Sequence, residues 1–393
     1  MMIDNFKKFQ AQTTNHPLGI EVIKAEGSYI YDRKKKYLDL VAGVSVQNLG
    51  HCNSELNKSI VKQLKKYSHV MVYGEFVQKP SLKLCKLLNK ILPKNLNSTY
   101  LTNSGTEAIE AALKLAKRAT GRSRIISALN SYHGSTHGSM SVSGFEQRKR
   151  AYRPLLPNID FIQFNCESSI SQINQSTSCV ILETIQGGAG FIEPKHNFLK
   201  RISKKCKEVG ALLILDELQT GLGRTGKMFA FEHYDISPDI LVLGKSLGGG
   251  FPIGAMISDI SLMNKLKSKP ILGHITTFGG HPVISQAGLT TLKIILRDKL
   301  FEKAKISGLK FKQRLKHPAI IEIRGKGLML ALILKSNELA KKLVIKSLEK
   351  GLILFWLLYE ARAVRITPPL NISEKEIKIS CDIILKTLDE IYN

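Results

Sequence analysis

The chain has 393 residues, 43% of them hydrophobic, and a formal net charge of +26. That length allows two or three domains or one large α/β unit with a sizeable core. The longest apolar runs, such as 351–359, fall far short of the roughly 20 residues a membrane span needs, which excludes a spanning helix. The N-terminus, Met1-Met2-Ile3-Asp4, carries no apolar signal core. Cys52, Cys85, Cys166, Cys179, Cys206 and Cys381 stand singly, with no C-x-x-C pair. The expectation is therefore reduced thiols in the cytoplasm, with no disulfide framework and no metal site. A charge of +26 favours polyanion contact in principle. However, the lysines are scattered along the chain (Lys34 to Lys36, Lys65-Lys66, Lys204-Lys205, Lys341-Lys342), and no aromatic-rich binding motif accompanies them. They read as solvated faces, and no nucleic-acid partner is expected.

No repeat or low-complexity linker divides the chain. From about 98 to 258, short β-rich runs alternate with helical patterns. Strands are predicted over 99–101, 124–127, 161–164, 179–182, 212–215 and 240–243, with helices over 106–118 and 197–209 between them. Such alternation implies a mostly parallel sheet covered on both faces. The apolar runs Val180-Ile181-Leu182 and Leu212 to Leu215 suit strands buried on both sides. Beyond Pro282 the pattern changes to a helical stretch, strands over 320–324 and 328–334, a helix near 338–350 and a last helix from Ser373. Ser373 and Glu376 form a capping box there. The expected fold is α/β: a large domain around the central sheet plus a smaller α+β domain.

In an open α/β sheet, ligands bind beyond the carboxyl ends of the strands. Glu183 follows 179–182, Asp216 follows 212–215, and Lys245 follows 240–243 after one glycine. Tyr132, His133 and Gly134 follow 124–127, and Ser104, Gly105 and Thr106 follow 99–101. The turn at Ser104 opens a helix, and free amides there suit a phosphate. The plainer reading of Ser104 is an N-cap. Lys245, at a strand end before Gly248-Gly249-Gly250, has room beside it for a bulky group, and burial would favour its neutral amine. The plainer reading is a surface lysine. Asp216 closes a strong apolar run and needs a partner, for which a pyridinium nitrogen is suited. A capping or salt-bridged aspartate is the plainer alternative.

Together these pieces resemble the class III aminotransferases of the ornithine, acetylornithine and 4-aminobutyrate type, over nearly the whole chain. The most specific match is Leu215-Asp216-Glu217-Leu218-Gln219-Thr220-Gly221-Leu222-Gly223-Arg224-Thr225-Gly226-Lys227, with Lys245 following 29 residues after Asp216. The resemblance implies the pyridoxal-phosphate-dependent transferase fold of type I. It divides the chain into an N-terminal segment 1–49, a large cofactor domain 50–283 and a small domain 284–393. By resemblance, Lys245 is the lysine bonded to pyridoxal 5′-phosphate and also the proton carrier. Asp216 meets the pyridine nitrogen, and Gln219 lies near the 3′ oxygen. Ser104, Gly105 and Thr106 form the phosphate loop, Tyr132 stacks on the ring with His133 beside it, and Glu183 lies near the cofactor. Thr277 reaches the phosphate of a neighbouring subunit, which implies a homodimer with shared sites. Arg365 grips a substrate carboxylate, a role that suits its bidentate fork.

The implied reaction moves an amino group from a small-molecule ω-amino donor of the acetylornithine, succinyldiaminopimelate or ornithine kind. The acceptor is a 2-oxo acid, expected to be 2-oxoglutarate, and the setting is amino-acid biosynthesis, arginine biosynthesis included. The alternatives are a donor such as 4-aminobutyrate or lysine, and an aminomutase or racemase on the same fold. A nucleic-acid-binding protein on a degenerate enzyme fold is disfavoured by the full set of cofactor residues. Three positions depart from the pattern. Gly188 stands where ornithine-type relatives carry a second Glu, Ser135 where many relatives have Arg, and His281 where Asn is common.

Overall fold

The computed structural model describes residues 2–392. The outermost residues of the two expected terminal segments, Met1 and Asn393, lie outside it. Its centre is a seven-stranded sheet in the spatial order Ser98–Thr102, Gly254–Ser258, Ile240–Leu243, Leu212–Asp216, Thr177–Glu183, Arg124–Ala128, Ile159–Ile162. Every pairing is parallel except the two made by Gly254–Ser258, which runs against both neighbours.

Side chains alternate between two buried cores. Val180, Leu182, Leu213, Leu215, Leu241 and Leu243 join one. Cys179, Ile181, Ile214, Ile240 and Val242 join the other. The period of two explains why these strands are continuously apolar: each residue meets a helical layer whichever way it points. Each such Leu or Ile contributes roughly 1.5–3 kcal/mol on burial.

One covering helix, Gly105–Thr120, buries Ala108, Ala111, Ala112 and Ala116 together with Ile109, Leu113 and Leu115. The alanines let it lie close to the sheet. Ser104 caps it by accepting from Glu107 N, and Gly121 ends it at φ 69°. Glu107 in the first turn and Lys117 and Arg118 in the last agree with the helix dipole.

Two differences from the sequence reading stand out here. Gly254–Ser258 was not expected as a strand, and the strand expected over 161–164 runs Ile159–Ile162. The second strand ends where Leu129 N takes Ile162 O, and Asn165 then turns left-handed at φ 64°.

The C-terminal part holds the helices Pro282–Arg297 and Leu300–Arg314. An antiparallel sheet follows, ordered Ile320–Lys326, Met329–Leu334, Ala363–Ile366, Phe355–Trp356. The helix Glu374–Tyr392 closes the chain, with Ser373 and Glu376 bonded reciprocally as a capping box. A third sheet joins Lys24–Glu26, Tyr29–Tyr31 and Lys36–Asp39 to Leu352–Ile353, so the first strands share a sheet with the last third of the chain.

His281 caps Pro282–Arg297. Its Nδ1 accepts from Val283 N at 3.3 Å, which is the work an asparagine oxygen would do there. All six cysteines are free. Among the described residues no helix is long and apolar enough to cross a membrane, and no group of three or more metal-binding side chains gathers. The basic runs at 34–36, 65–66, 204–205 and 341–342 sit at the surface in four separate parts of the chain.

Candidate active site

The carboxyl ends of the parallel strands open into a cavity of about 310 Å³. Its wall contains Gly105, Thr106, Tyr132, His133, Glu183, Asp216, Gln219, Lys245 and Arg365. Eight of these nine come from the large sheet, its loops and the start of the helix Gly105–Thr120. Arg365 comes from the strand Ala363–Ile366.

Lys245 follows Ile240–Leu243 after Gly244, on the backbone at φ 43°. A lysine in that left-handed region costs roughly 1–3 kcal/mol, which the surrounding packing must hold. Gly244 permits the approach, because a Cβ there would lie 2.6 Å from Leu218 Cδ2. Gly105 is bound in the same way, with Leu218 Cδ2 only 2.4 Å from a built Cβ. Leu218 thus packs the lysine turn against the start of the Gly105–Thr120 helix. Burial lowers the pKa of Lys245, opposed by the charges of Asp216 and Glu183.

Asp216 is 4% exposed. Its Oδ2 accepts from His133 Nδ1 at 2.7 Å, and its Oδ1 accepts from Leu218 N at 2.9 Å. The carboxylate is thereby fixed in rotation and keeps lone pairs toward the cavity. His133 is also buried, its backbone N–H bonded to Ser143 Oγ, and its Nε2 has no protein partner. It therefore acts on Asp216 as well as lining the wall.

Glu183 is the cross-strand neighbour of Asp216. It accepts from Tyr132 N at 3.0 Å and Gly187 N at 2.8 Å. Burial pushes its pKa up to about 7, against the pull of His133. Gln219 donates from Nε2 to Ser45 Oγ at 3.1 Å. Tyr132 sits in the wall with its hydroxyl 3.1 Å from Ser135 Oγ.

Arg365 is 5% exposed. Nε donates to Trp356 O at 3.1 Å, and the guanidinium lies 5.9 Å from the Phe355 ring centre. No carboxylate of the chain pairs with it among the described residues, and burial lowers its pKa to about 10.

Two expected residues fall outside the cavity wall. Ser104 is an N-cap, its Oγ accepting from Glu107 N at 3.4 Å, as the plainer reading had it. Thr277 is exposed, in the surface segment between Ile271 and Phe278.

The structure also explains two departures. A Cβ on Gly188 would lie 2.8 Å from Tyr359 Cε2, so Tyr359 fills the space a glutamate would take. Ser135 is used to hold the Tyr132 hydroxyl.

Sequence reasoning missed Val44. It lines the cavity from a turn in which Ala42, Gly43, Val44 and Ser45 all have positive φ. A β-branched residue in that region is an outlier, and nothing in Ala-Gly-Val-Ser announces it. Leu357 and Leu358, which add apolar wall, were missed as well.

A family model described as aminotransferase class-III matches residues 9–388. The acetylornithine aminotransferase of Archaeoglobus fulgidus is 37% identical over 386 residues, covering 98% of this chain and 99% of its own. A [LysW]-aminoadipate semialdehyde/glutamate semialdehyde transaminase of Sulfurisphaera tokodaii is 38% identical over 80% of this chain and 81% of its own. A solved ornithine aminotransferase of Toxoplasma gondii, with pyridoxal phosphate at partial occupancy in its active site, superposes with a TM-score of 0.91. It is 27% identical and covers 100% of this chain and 94% of its own.

The chain belongs to the class III aminotransferases. Its fold is the type I transferase fold and its cofactor is pyridoxal phosphate. The cavity fits that group. A buried amine of lowered pKa suits the aldehyde, and a fixed carboxylate suits the ring nitrogen. The free amides at the start of Gly105–Thr120 suit the phosphate.

Proposed function

We propose that the chain moves the amino group of a terminal primary amine to a 2-oxo acid, with 2-oxoglutarate as acceptor. The donor is of the acetylornithine or succinyldiaminopimelate kind, in amino-acid biosynthesis. One observation carries this reading: Arg365 is a buried guanidinium with no carboxylate partner among the described residues, in the wall of the same cavity as Lys245. A buried charge of that kind is costly until something pairs it. The α-carboxylate of a 2-oxo acid does so bidentately. The named substrates of the relatives support the donor class.

The residue roles follow from this reading. Gly105 and Thr106 hold the phosphate, Asp216 the ring nitrogen, Gln219 the ring oxygen and Tyr132 the ring face. His133 and Glu183 fix Asp216 and Tyr132. When bound, the cofactor supplies an electron-withdrawing ring that accepts charge from the substrate carbon. Lys245 Nζ, its pKa lowered by burial, takes a proton from the carbon bearing the amine and delivers it to the carbon of the cofactor that holds the amino group, so that the group can leave the donor. Arg365 orients the acceptor. Val44, Leu357 and Leu358 exclude water from the donor's chain.

We further propose a homodimer. Phe76, Val77, Ile271, Leu272 and Phe278 are large apolar residues at 50% exposure or more, and Phe76, Val77, Ile271 and Leu272 line one cavity with Thr276. Such a patch marks an interface, and the exposed Thr277, next to Thr276 in sequence, is read as the residue that reaches a second copy. Sedimentation at micromolar concentration yields twice the 43.8 kDa chain mass; a monomer there refutes the dimer. The free thiols support a cytoplasmic setting.

The function is tested by a donor screen with 2-oxoglutarate, comparing N-acetylornithine, ornithine, lysine, 4-aminobutyrate and N-succinyldiaminopimelate. Arg365→Ala is run alongside. Two charge-assisted hydrogen bonds are worth about 3 kcal/mol together, so kcat/KM for 2-oxoglutarate falls roughly 100-fold. Equal values in the variant and the parent protein reject the carboxylate role.

A further inference from the structure

The largest of the fully buried side chains is Arg224, at 0% exposure. Among the described residues no carboxylate pairs with it. Nη1 donates to the carbonyls of Leu328, at 3.1 Å, and Pro368, and Nη2 donates to Asn48 Oδ1. Nε is buried with no partner. Burial alone draws its pKa down to about 9. A guanidinium satisfied only by neutral acceptors is an expensive way to fill a core, and an apolar side chain of similar volume is often the more stable choice. The arrangement therefore calls for a role other than filling.

The three acceptors come from distant parts of the chain, and two of them have a cavity residue close by in sequence. Asn48 lies four residues after Val44. Pro368 lies three residues after Arg365. Arg224 itself lies four residues after Thr220. Backbone links stiffen the junction: Asn48 Nδ2 donates to Leu222 O, Leu370 N to Asn48 O, and Leu328 N to Arg224 O, each at 2.9 Å. One planar group thus ties together the strand end bearing Arg365, the left-handed turn bearing Val44 and the loop bearing Gln219.

We infer that Arg224 is a positioning residue that sets the distance between the carboxylate grip of Arg365 and the rest of the cavity. The inference rests on the reading of Arg365 as the carboxylate anchor. Arginine is required because its rigid fork reaches several acceptors in fixed directions, which a lysine ammonium on a flexible stem cannot do. A misplacement of about 1 Å at a binding group can cost on the order of 100-fold.

The test uses the holoenzyme variants Arg224→Lys and Asn48→Ala, with Arg365→Ala as reference. Asn48→Ala leaves the guanidinium in place and removes one acceptor, so it serves if Arg224→Lys fails to fold. Two quantities are read: KM for 2-oxoglutarate, and Ki for glutarate, a dicarboxylate that binds without reacting. A merely structural role lowers the folded fraction, and so kcat, but moves neither. The inference predicts that both rise in Arg224→Lys by about 10- to 100-fold, and by less in Asn48→Ala. If Arg365→Ala raises both and the other two variants raise neither, the positioning role is overturned while the anchor stands. If Arg365→Ala itself changes neither, the anchor reading and this inference fall together.

Discussion

Lys245→Ala is expected to lower transamination at least about 1,000-fold while leaving a folded protein. Two losses combine. The covalent attachment point disappears, and so does the one lysine among the described residues of the cavity wall, which moves the proton. The fold should survive because burial of the ammonium opposes its charged form in the native state, so removing it relieves a desolvation cost. Alanine also keeps the turn between Gly244 and Ser246, although it inherits the φ of 43°. Steady-state kinetics with a coupled glutamate assay, alongside a thermal melt, separate the two effects. Turnover within tenfold of the parent protein would remove Lys245 from the mechanism.

Asp216→Asn is expected to slow the reaction roughly 100- to 1,000-fold, the size found when a preorganised charge or donor is removed from an active site. The substitution is nearly isosteric. Its oxygen can still accept from Leu218 N, and its amide can meet His133 Nδ1 in the other tautomer. What is lost is the negative charge opposite the ring nitrogen. The pH profile gives a second readout with a definite sign. Asp216 raises the pKa of Lys245, against the larger lowering by burial. Without that charge the amine becomes neutral at lower pH, so the acid limb of the rate profile moves down. An acid limb that stays in place, or a rate within twofold of the parent protein, would show that Asp216 does not act on this amine.

Much of the site is legible in the sequence, for a physical reason. In a parallel sheet buried on both faces, an apolar run must stop where the strand leaves the core. The first polar residue after it therefore stands at the carboxyl end. Glu183, Asp216 and Lys245 were found in this way, and the register confirms Glu183 beside Asp216. The reversed strand Gly254–Ser258 escaped because its apolar residues follow a glycine- and proline-rich loop, and nothing local gives its direction. The strand at Ile159–Ile162 was displaced by two residues because Phe164 is apolar for a different purpose: it packs against Phe198. Val44 was invisible because its backbone conformation is imposed from outside. Arg224 lay in plain view within the signature, yet its importance depends on burial and on acceptors 104, 144 and 176 residues away, which no local pattern encodes. Gly188 was noticed only as an absence, and Tyr359, which occupies that space, lies far along the chain.

The covalent bond between the cofactor and one particular nitrogen can be read directly. The native holoenzyme is treated with borohydride, digested and mapped by mass spectrometry. The account predicts a stable pyridoxyl mass increment on the peptide containing Gly244-Lys245-Ser246 and on no other lysine peptide. A label confined to a different lysine, or none at all on a protein that turns over, would contradict it.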